Sequence, residues 1–332
     1  MSYSVVMTVY NGEDYLAEAI ESILNQTFKD FEFIIINDGS NDSTRSIIES
    51  YNDDRIVAYH LDENKGQTYC LNYGIKNAKG DWIFRQDADD ISLPTRFEKQ
   101  IKYLSKNPQI VGVGTLIDTI QGKNPVDNNT LQSMKWSNSC VSREEIRKFR
   151  FVAPPIVHGT ILFSKKAFYK AGGYCELYKI GQDTDLWIKL MEIGDIDKVN
   201  KVLYKYRVYY DSLSRKDETE TCRESMLIVS RNIHSIFIKK RNSIPKFVVI
   251  GPEKGCEFYK KFIEFNSGIH VVEYLSKDVK AELKRIDSLF HIGKINGIIL
   301  LDGLNYKKIY PLLESHGFIY NDNLFRLWNI IT

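Results

Sequence analysis

Short apolar runs alternate with segments of helical spacing along the first part of the chain. Ser4-Val5-Val6-Met7-Thr8-Val9-Tyr10 is rich in β-branched residues and stops at the turn pair Asn11-Gly12, which predicts a strand. From Glu13 to Gln26 the apolar residues Leu16, Ala19, Ile20, Ile23 and Leu24 recur at helical spacing. Phe31 to Ile36 predicts a second strand ending in Asn37-Asp38-Gly39-Ser40, and Ser43 to Tyr51 a second helix. Arg55 to His60 is a third apolar run. The polar Glu63-Asn64-Lys65-Gly66 loop, a helix around Tyr69 to Asn77 and a strand around Trp82 follow it. The order β-α-β-α-β-α-β predicts a mostly parallel sheet flanked by helices, whose ligands sit outside the carboxyl ends of the strands. Thr8, Tyr10, Asp38 and Asp87 all fall at that edge.

The pattern continues with a helix over Phe97 to Leu104, a strand over Ile110 to Ile117 and a short strand at Ile161-Leu162-Phe163 leading into a helix from Ser164 to Ala171. Gly122 to Asn138 is polar and is predicted as a loop over or beside the site. Asp185 to Met191 is an amphipathic helix with acidic residues at its start, and Lys198 to Tyr206 is a further strand. Near Pro245 the character changes. A basic run, Lys239-Lys240-Arg241-Asn242-Ser243, precedes a fresh strand, Phe247-Val248-Val249-Ile250. Gly251-Pro252-Glu253-Lys254-Gly255 then opens a helix, Ile269 to Tyr274 and Gly297 to Asp302 are strands, and Tyr306 to Ser315 is a helix.

These shifts divide the chain into a large α/β domain over 1–215, a helical connector with a basic linker over 216–244, and a small Rossmann-like α/β domain over 245–332. The connector helix, around Thr221 to Phe237, offers an apolar face able to dock on either domain. The Gly251–Gly255 turn lacks the three-glycine dinucleotide fingerprint, so the last domain is expected to serve packing, assembly or partner binding rather than a cofactor.

Charge and cysteine content narrow the function by exclusion. Among 332 residues, 45 Lys+Arg face 43 Asp+Glu, which leaves no global field for nucleic acid. Five scattered cysteines, with no Cys-x-x-Cys pair, read as reduced thiols. The first strand begins almost at once, leaving no room for a signal peptide, and no apolar run approaches the roughly 18 residues of a membrane helix. The expectation is a cytoplasmic protein. The basic run at 239–241 could touch the anionic inner face of a membrane, although a solvated linker explains it as well.

The candidate chemistry lies in Gly80-Asp81-Trp82-Ile83-Phe84-Arg85-Gln86-Asp87-Ala88-Asp89-Asp90, a buried strand that releases carboxylates at its end. Asp87 and Asp89 alternate to the same side of an extended backbone, and a hard divalent cation would relieve their repulsion and draw in phosphate. An acidic turn or helix start is the plainer alternative, since aspartate favours both.

The quoted segments at 6–11, 37–43, 64–66 and 87–90 resemble the family 2 glycosyltransferases of the GT-A fold. The resemblance continues in order through Val157-His158-Gly159-Thr160, Ala171-Gly172-Gly173-Tyr174, Gly181-Gln182-Asp183-Thr184-Asp185-Leu186-Trp187 and Tyr206-Arg207. It implies a nucleoside diphosphate sugar donor, UDP-type favoured, and a divalent cation, Mn2+ or Mg2+. It assigns Thr8 to nucleoside contacts, Tyr10 to stacking on the base, Asp38 to the base edge, Asp87 to ribose or metal, and Asp89 to the metal. Asp183 matches the general base for in-line, inverting attack, with a helix cap as its structural alternative.

Some positions depart from the family pattern. Gln182 stands where Glu is common, removing one charge from the acceptor side. Val208-Tyr209 follows Arg207 where many members carry a histidine, so the third metal ligand is open, while Arg207 remains available to phosphate. His158 is an acceptor-side candidate and equally a structural histidine. The Gln-x-x-Arg-Trp signature and membrane helices of processive members are absent from the sequence. One sugar per encounter, to a lipid-linked or protein-linked glycan or a surface polysaccharide, therefore fits better than chain extrusion. Two other classes are alternatives. A non-catalytic nucleotide-sugar-binding scaffold is suggested only by Gln182 and Tyr209, and a sugar-phosphate nucleotidyltransferase would need a phosphate loop that Tyr10-Asn11-Gly12-Glu13 does not supply.

Overall fold

The computed structural model describes residues 1–123, 128–209, 217–301, 306–328 and 331. Its strands are β1 (Tyr3–Val9), β2 (Glu32–Asn37), β3 (Ile56–His60), β4 (Trp82–Asp87), β5 (Ile91–Ser92), β6 (Ile110–Gln121), β7 (Leu162–Ser164), β8 (Asp195–Val208), β9 (Lys246–Ile250), β10 (His270–Leu275), β11 (Gly297–Leu301) and β12 (Leu324–Leu327). They form an eight-stranded sheet of order β3-β2-β1-β4-β7-β6-β8-β5 and a four-stranded sheet of order β10-β9-β11-β12.

The chain separates into two compact units. The first comprises Met1–Arg147 and the described residues from Pro155 to Tyr209, and the second comprises Lys148–Pro154 and the residues described after 216. The domain edge expected at 215/216 lies outside the described residues. The helix Glu218–Arg241, expected as a connector, belongs to the second unit.

In the first unit β1, β2, β3 and β4 run parallel, and β7 is antiparallel to both β4 and β6. β6 and β8 pair in parallel, so they share the direction of β4 and their ends reach the same edge of the sheet. β1 is buried along its whole length, as a central strand covered on both faces must be. Its alternation sends Val5, Met7 and Val9 to one core, with Phe33, Ile35, Phe84 and the helices Leu16–Leu24 and Arg96–Lys106. Val6 goes to the other core, with Ile34, Ile36, Ile83 and the helices Gln67–Asn77 and Gln182–Met191. Period two then puts Arg85 and Asp87 on the Ile83 face, the side that carries the helix of Asp183.

The polar stretch expected as a loop holds the helix Asn128–Ser139, with 124–127 outside the described residues. In the second unit, the four parallel strands bury Val248, Ile250, Ile298 and Leu300 on one face against Leu283, Ile286, Leu313 and Phe318. On the other face Phe237 of the helix Glu218–Arg241 meets Phe247 and Phe325, which also packs on Phe151. The strand expected over Gly297 to Asp302 is seen to Leu301, Asp302 lying outside the described residues. β12 and the helix Val279–His291 went unforeseen.

Candidate active site

The first wall of the site is made by the turns after β1 and β2. Asn11 takes a left-handed backbone (φ 49°), and its amide donates to Ser40 Oγ at 2.9 Å while its side-chain oxygen accepts from the Asn41 amide at 3.0 Å. The Gly12 amide donates to Thr44 Oγ1 at 2.8 Å, and the Glu13 amide to Asp42 Oδ2 at 3.1 Å. Two strand ends are thereby laced into one rim, on which Tyr10 is half exposed.

Asp38 is buried and accepts the backbone amides of Lys65 at 2.7 Å and Gly66 at 2.9 Å. Its carboxylate therefore fixes the 64–66 loop, and the Cys70 side chain also hydrogen-bonds it. Gly39 is required here. At φ 66° a Cβ would come within 2.5 Å of the Glu63 carbonyl carbon.

The acidic turn after β4 is held from beneath. Thr8 of β1 is the register partner of Asp87. Arg85, fully buried, donates to Asp87 Oδ1 at 2.6 Å. Gln86 donates from its side chain to the carbonyls of Asp87 and Asp90 at 3.0 and 2.9 Å, bracketing the turn. Arg96 donates to the carbonyls of Arg85 and Gly159, both at 2.7 Å. At Gly159 a Cβ would overlap the Tyr204 hydroxyl and lie 2.6 Å from Asp87 Oδ2, so that backbone must stay bare. None of Arg85, Gln86, Arg96, Tyr204 or Gly159 was singled out for this role from the sequence. The available signal was an Arg-Gln pair inside an apolar strand, which buries polar groups only when they have partners.

Asp89 accepts the Tyr209 hydroxyl at Oδ2 (2.8 Å), and its carbonyl accepts Arg207 Nε at 2.7 Å. Burial and the Asp87 charge hold the Asp89 carboxyl above its ordinary range. Asp90 is different. It is fully buried, accepts the Arg207 amide at 2.6 Å, and is pushed well up by burial and by the charges of Asp89 and Asp87. It ties the turn to β8 and does not open a helix.

Arg207, expected at phosphate, is buried with its guanidinium engaged by acceptors of the protein. It reaches Glu18 Oε2 at 2.7 Å and lies 4.1 Å over the Tyr15 ring. That placement makes it a support of the acidic turn.

Asp183 sits in the first turn of Gln182–Met191, after Gly181 at the cap position. Its Oδ1 accepts the Thr184 amide at 2.7 Å. Burial raises its carboxyl to about 6 against the pull of that amide, and the Asp87 charge adds to the rise. Gln182 is buried, its amide paired with that of Gln67 at 2.8 Å. His158 meets the Tyr174 hydroxyl at 2.7 Å and stands edge-on to Trp187. Burial, with the Arg85 charge, pushes it well below its ordinary value, so the ring is neutral near pH 7.

The structure thus gathers Thr8, Asp87, Asp89 and Asp183 at one end of the sheet, with Tyr10 and Asp38 on the adjoining strand ends. Among the described residues no three His, Cys, Asp or Glu side chains form a ready-made metal cage. The Asp87/Asp89 pair nonetheless fits a hard cation, because each carboxylate has one oxygen engaged by a protein donor, Arg85 on Asp87 Oδ1 and Tyr209 on Asp89 Oδ2, and such a cation commonly takes one or two carboxylates plus phosphate and water.

Residues 4–172 match the family described as glycosyl transferase family 2. The chain belongs to that family. EpsE of Bacillus subtilis, whose glycosyltransferase designation is provisional, is 34% identical over 233 residues, covering 68% of this chain and 80% of its own. The O-antigen biosynthesis glycosyltransferase WbnJ of Escherichia coli is 32% identical over 219 residues, with 64% and 82% covered. An uncharacterized glycosyltransferase of Haemophilus influenzae is 28% identical over 320 residues, covering 89% of this chain and 98% of its own. Among solved structures, S. aureus TarS 1-349 in complex with UDP-GlcNAc superposes with a TM-score of 0.57 at 19% identity, over 70% of this chain and 66% of that one. This likeness shows the GT-A fold. A family 2 glycosyltransferase is an enzyme, and membership in that family sets aside the nucleotidyltransferase alternative. No helix among the described residues is long and apolar enough to cross a membrane.

Proposed function

We propose that this glycosyltransferase moves one sugar from a nucleoside diphosphate sugar to a hydroxyl acceptor, with inversion, in the making of a surface glycan or polysaccharide. The observation that carries the reading is the convergence of three carboxylates with different environments: Asp89 and Asp87 at the end of β4, and Asp183 on the facing helix within the influence of Asp87. Asp89 and Asp87 would hold Mn2+ or Mg2+. The cation, when bound, supplies positive charge to the leaving diphosphate. Thr8, Tyr10 and Asp38 would take the nucleoside, Tyr10 by stacking at the half-exposed rim.

Asp183 takes the proton of the acceptor hydroxyl as its oxygen attacks the anomeric carbon and the bond from that carbon to the diphosphate breaks. Attack opposite the leaving group inverts the centre. A carboxyl poised near 6 is ionised at neutral pH and more basic than an ordinary aspartate, which suits that task. UDP is the favoured nucleotide, in keeping with the UDP-GlcNAc complex of TarS, and a glycan acceptor is in keeping with the O-antigen role in the name of WbnJ.

Calorimetric titration with UDP in the presence of Mn2+ and in EDTA tests the donor side. Binding in Mn2+ and its loss in EDTA are expected, and equal binding in both would remove the metal role given to Asp89.

A further inference from the structure

The segment after β9 folds as a helix, Glu253–Tyr259, that widens into a π turn over Lys260–Glu264 and closes at Phe265–Ser267. Its buried side chains Tyr259, Ile263 and Ser267 are spaced four apart. A regular α-helix would drift by about 40° over each such step, and the wider π turn takes up the surplus, so this stripe stays on the core of the second unit. Two contacts with the helix Glu218–Arg241 fix it there. Tyr259 and Ser230 share a hydrogen bond at 2.8 Å, and Arg231 Nε donates to the Asn266 carbonyl at 2.9 Å. The residues between the buried ones are thereby turned outward. Lys260 and Lys261 are exposed, Phe262 is 39% exposed with its ring 4.9 Å from that of Phe258, and Phe265 is 95% exposed. A phenylalanine left this bare forgoes most of the burial its side chain could gain.

We propose that this outward face docks the protein on an anionic phospholipid bilayer, with Phe265 and Phe262 entering the boundary between headgroups and acyl chains and Lys260 and Lys261 held at the lipid phosphates. The charge balance favours it. Of the three glutamates on the segment, Glu253 pairs with Lys277 at 3.0 Å and Glu264 accepts the Tyr274 hydroxyl at 2.8 Å, which leaves Glu257 against the three lysines 254, 260 and 261. Lys261 Nζ lies 5.0 Å over the Phe262 ring, so cation and phenyl share one surface, and the lysine stem is long enough to keep its charge at the phosphates while the ring goes deeper. The neighbouring helix repeats the combination. A Cβ on Gly268 would come within 2.8 Å of the His234 ring, and one turn beyond His234 that helix exposes Ile238 beside Lys239 and Lys240. A second copy of the chain fits worse, because a two-fold contact sets the same patch against itself and brings lysines onto lysines. A fluid bilayer needs no matching groove for a protruding phenyl ring, and its phosphates complement the lysines. The inference stands apart from the transfer reading, whose residues all lie in the first unit.

Flotation of the full-length chain with lipid vesicles tests this. Wild type should float with phosphatidylcholine vesicles that contain phosphatidylglycerol, stay behind with pure phosphatidylcholine, and be released at high salt. Phe265→Ser should weaken binding to the anionic vesicles by about tenfold or more, the loss expected when one phenyl is no longer buried. Lys260→Gln together with Lys261→Gln should weaken it by about twentyfold, each charge near such a surface being worth about fivefold. Both variants should melt as wild type does, since the groups removed are exposed. Undiminished vesicle binding by Phe265→Ser, or binding lost only in Lys239→Gln with Lys240→Gln, overturns the assignment to this face. Dimerisation of wild type that Phe265→Ser abolishes, with no vesicle binding, gives the face to a second copy and overturns the bilayer.

Discussion

Asp183 and Asp89 are both acidic residues in a motif, and the proposed function gives them different work. Asp89→Asn should weaken nucleotide and metal binding together, since an amide is a poor ligand for a hard cation. Asp183→Asn should leave nucleotide binding nearly unchanged and lower transfer by about 10²–10⁴-fold, the usual range for a general base. In wild type, transfer should fall as the pH drops through about 6. The same shift bears on stability. A carboxyl raised from 3.8 to about 6 binds its proton more tightly in the folded state, so its stabilising contribution is present below pH 4 and lost as pH rises through 6. Asp183→Asn should therefore melt higher than wild type at pH 7.5, by about 1–3 kcal/mol, and not at pH 4. Raised stability with lost transfer is a signature that a helix cap would not produce. Both positions were legible in the sequence as element boundaries, Asp89 just past a predicted strand and Asp183 just before a predicted helix, while the roles proposed for them come from the family resemblance. The pairing of Arg207 with Glu18 was not, because the two are 189 positions apart and no local pattern announces the pair.

At the scale of elements, β4 shows what the pattern could and could not reveal. Its apolar run marked it as a strand, but the groups that shape its last turn come from elsewhere: Arg96 from the following helix, Gly159 from the short turn before β7, and Tyr204 from β8. Arg96 is buried against the Phe97 and Tyr204 rings and binds two carbonyls and the Gln86 amide oxygen. Arg96→Met keeps the stem and strands those acceptors, and should cost about 3–5 kcal/mol in chemical denaturation together with loss of nucleotide binding. A variant as stable as wild type would show the clamp to be dispensable. The helix Asn128–Ser139 escaped the sequence reading for a related reason. Asn, Ser and Thr are common within it and favour it little, and its Asn138 is instead tied to both backbone groups of Ile117 while Lys198 binds the Ser137 carbonyl. Tertiary contacts, not propensity, hold it.

At the scale of the molecule, every residue assigned to donor, cation and base lies in the first unit, and the second carries a core of its own. The composition changes near Pro245, and the compact second unit begins further back and includes the helix Glu218–Arg241, whose face expected to dock on either domain is buried through Met226, Ile228, Ile233 and Phe237. Phe151, from the short segment Lys148–Pro154, packs on Phe325 in the same unit. Where the chain is cut should therefore decide its fate. A chain ending at Arg241 would leave that helix face bare, each stranded side chain forfeiting about 1.5–3 kcal/mol of burial, and it should aggregate or bind a hydrophobic dye. A chain ending at Asp217 and carrying Phe151→Ser avoids both exposures and should elute as a monomer that still binds UDP in Mn2+. Size-exclusion chromatography with calorimetry on the two chains makes the comparison. Equal solubility of both would show that the helix does not depend on the second unit, and loss of UDP binding by the shorter monomer would show that the donor site needs more than the first unit supplies.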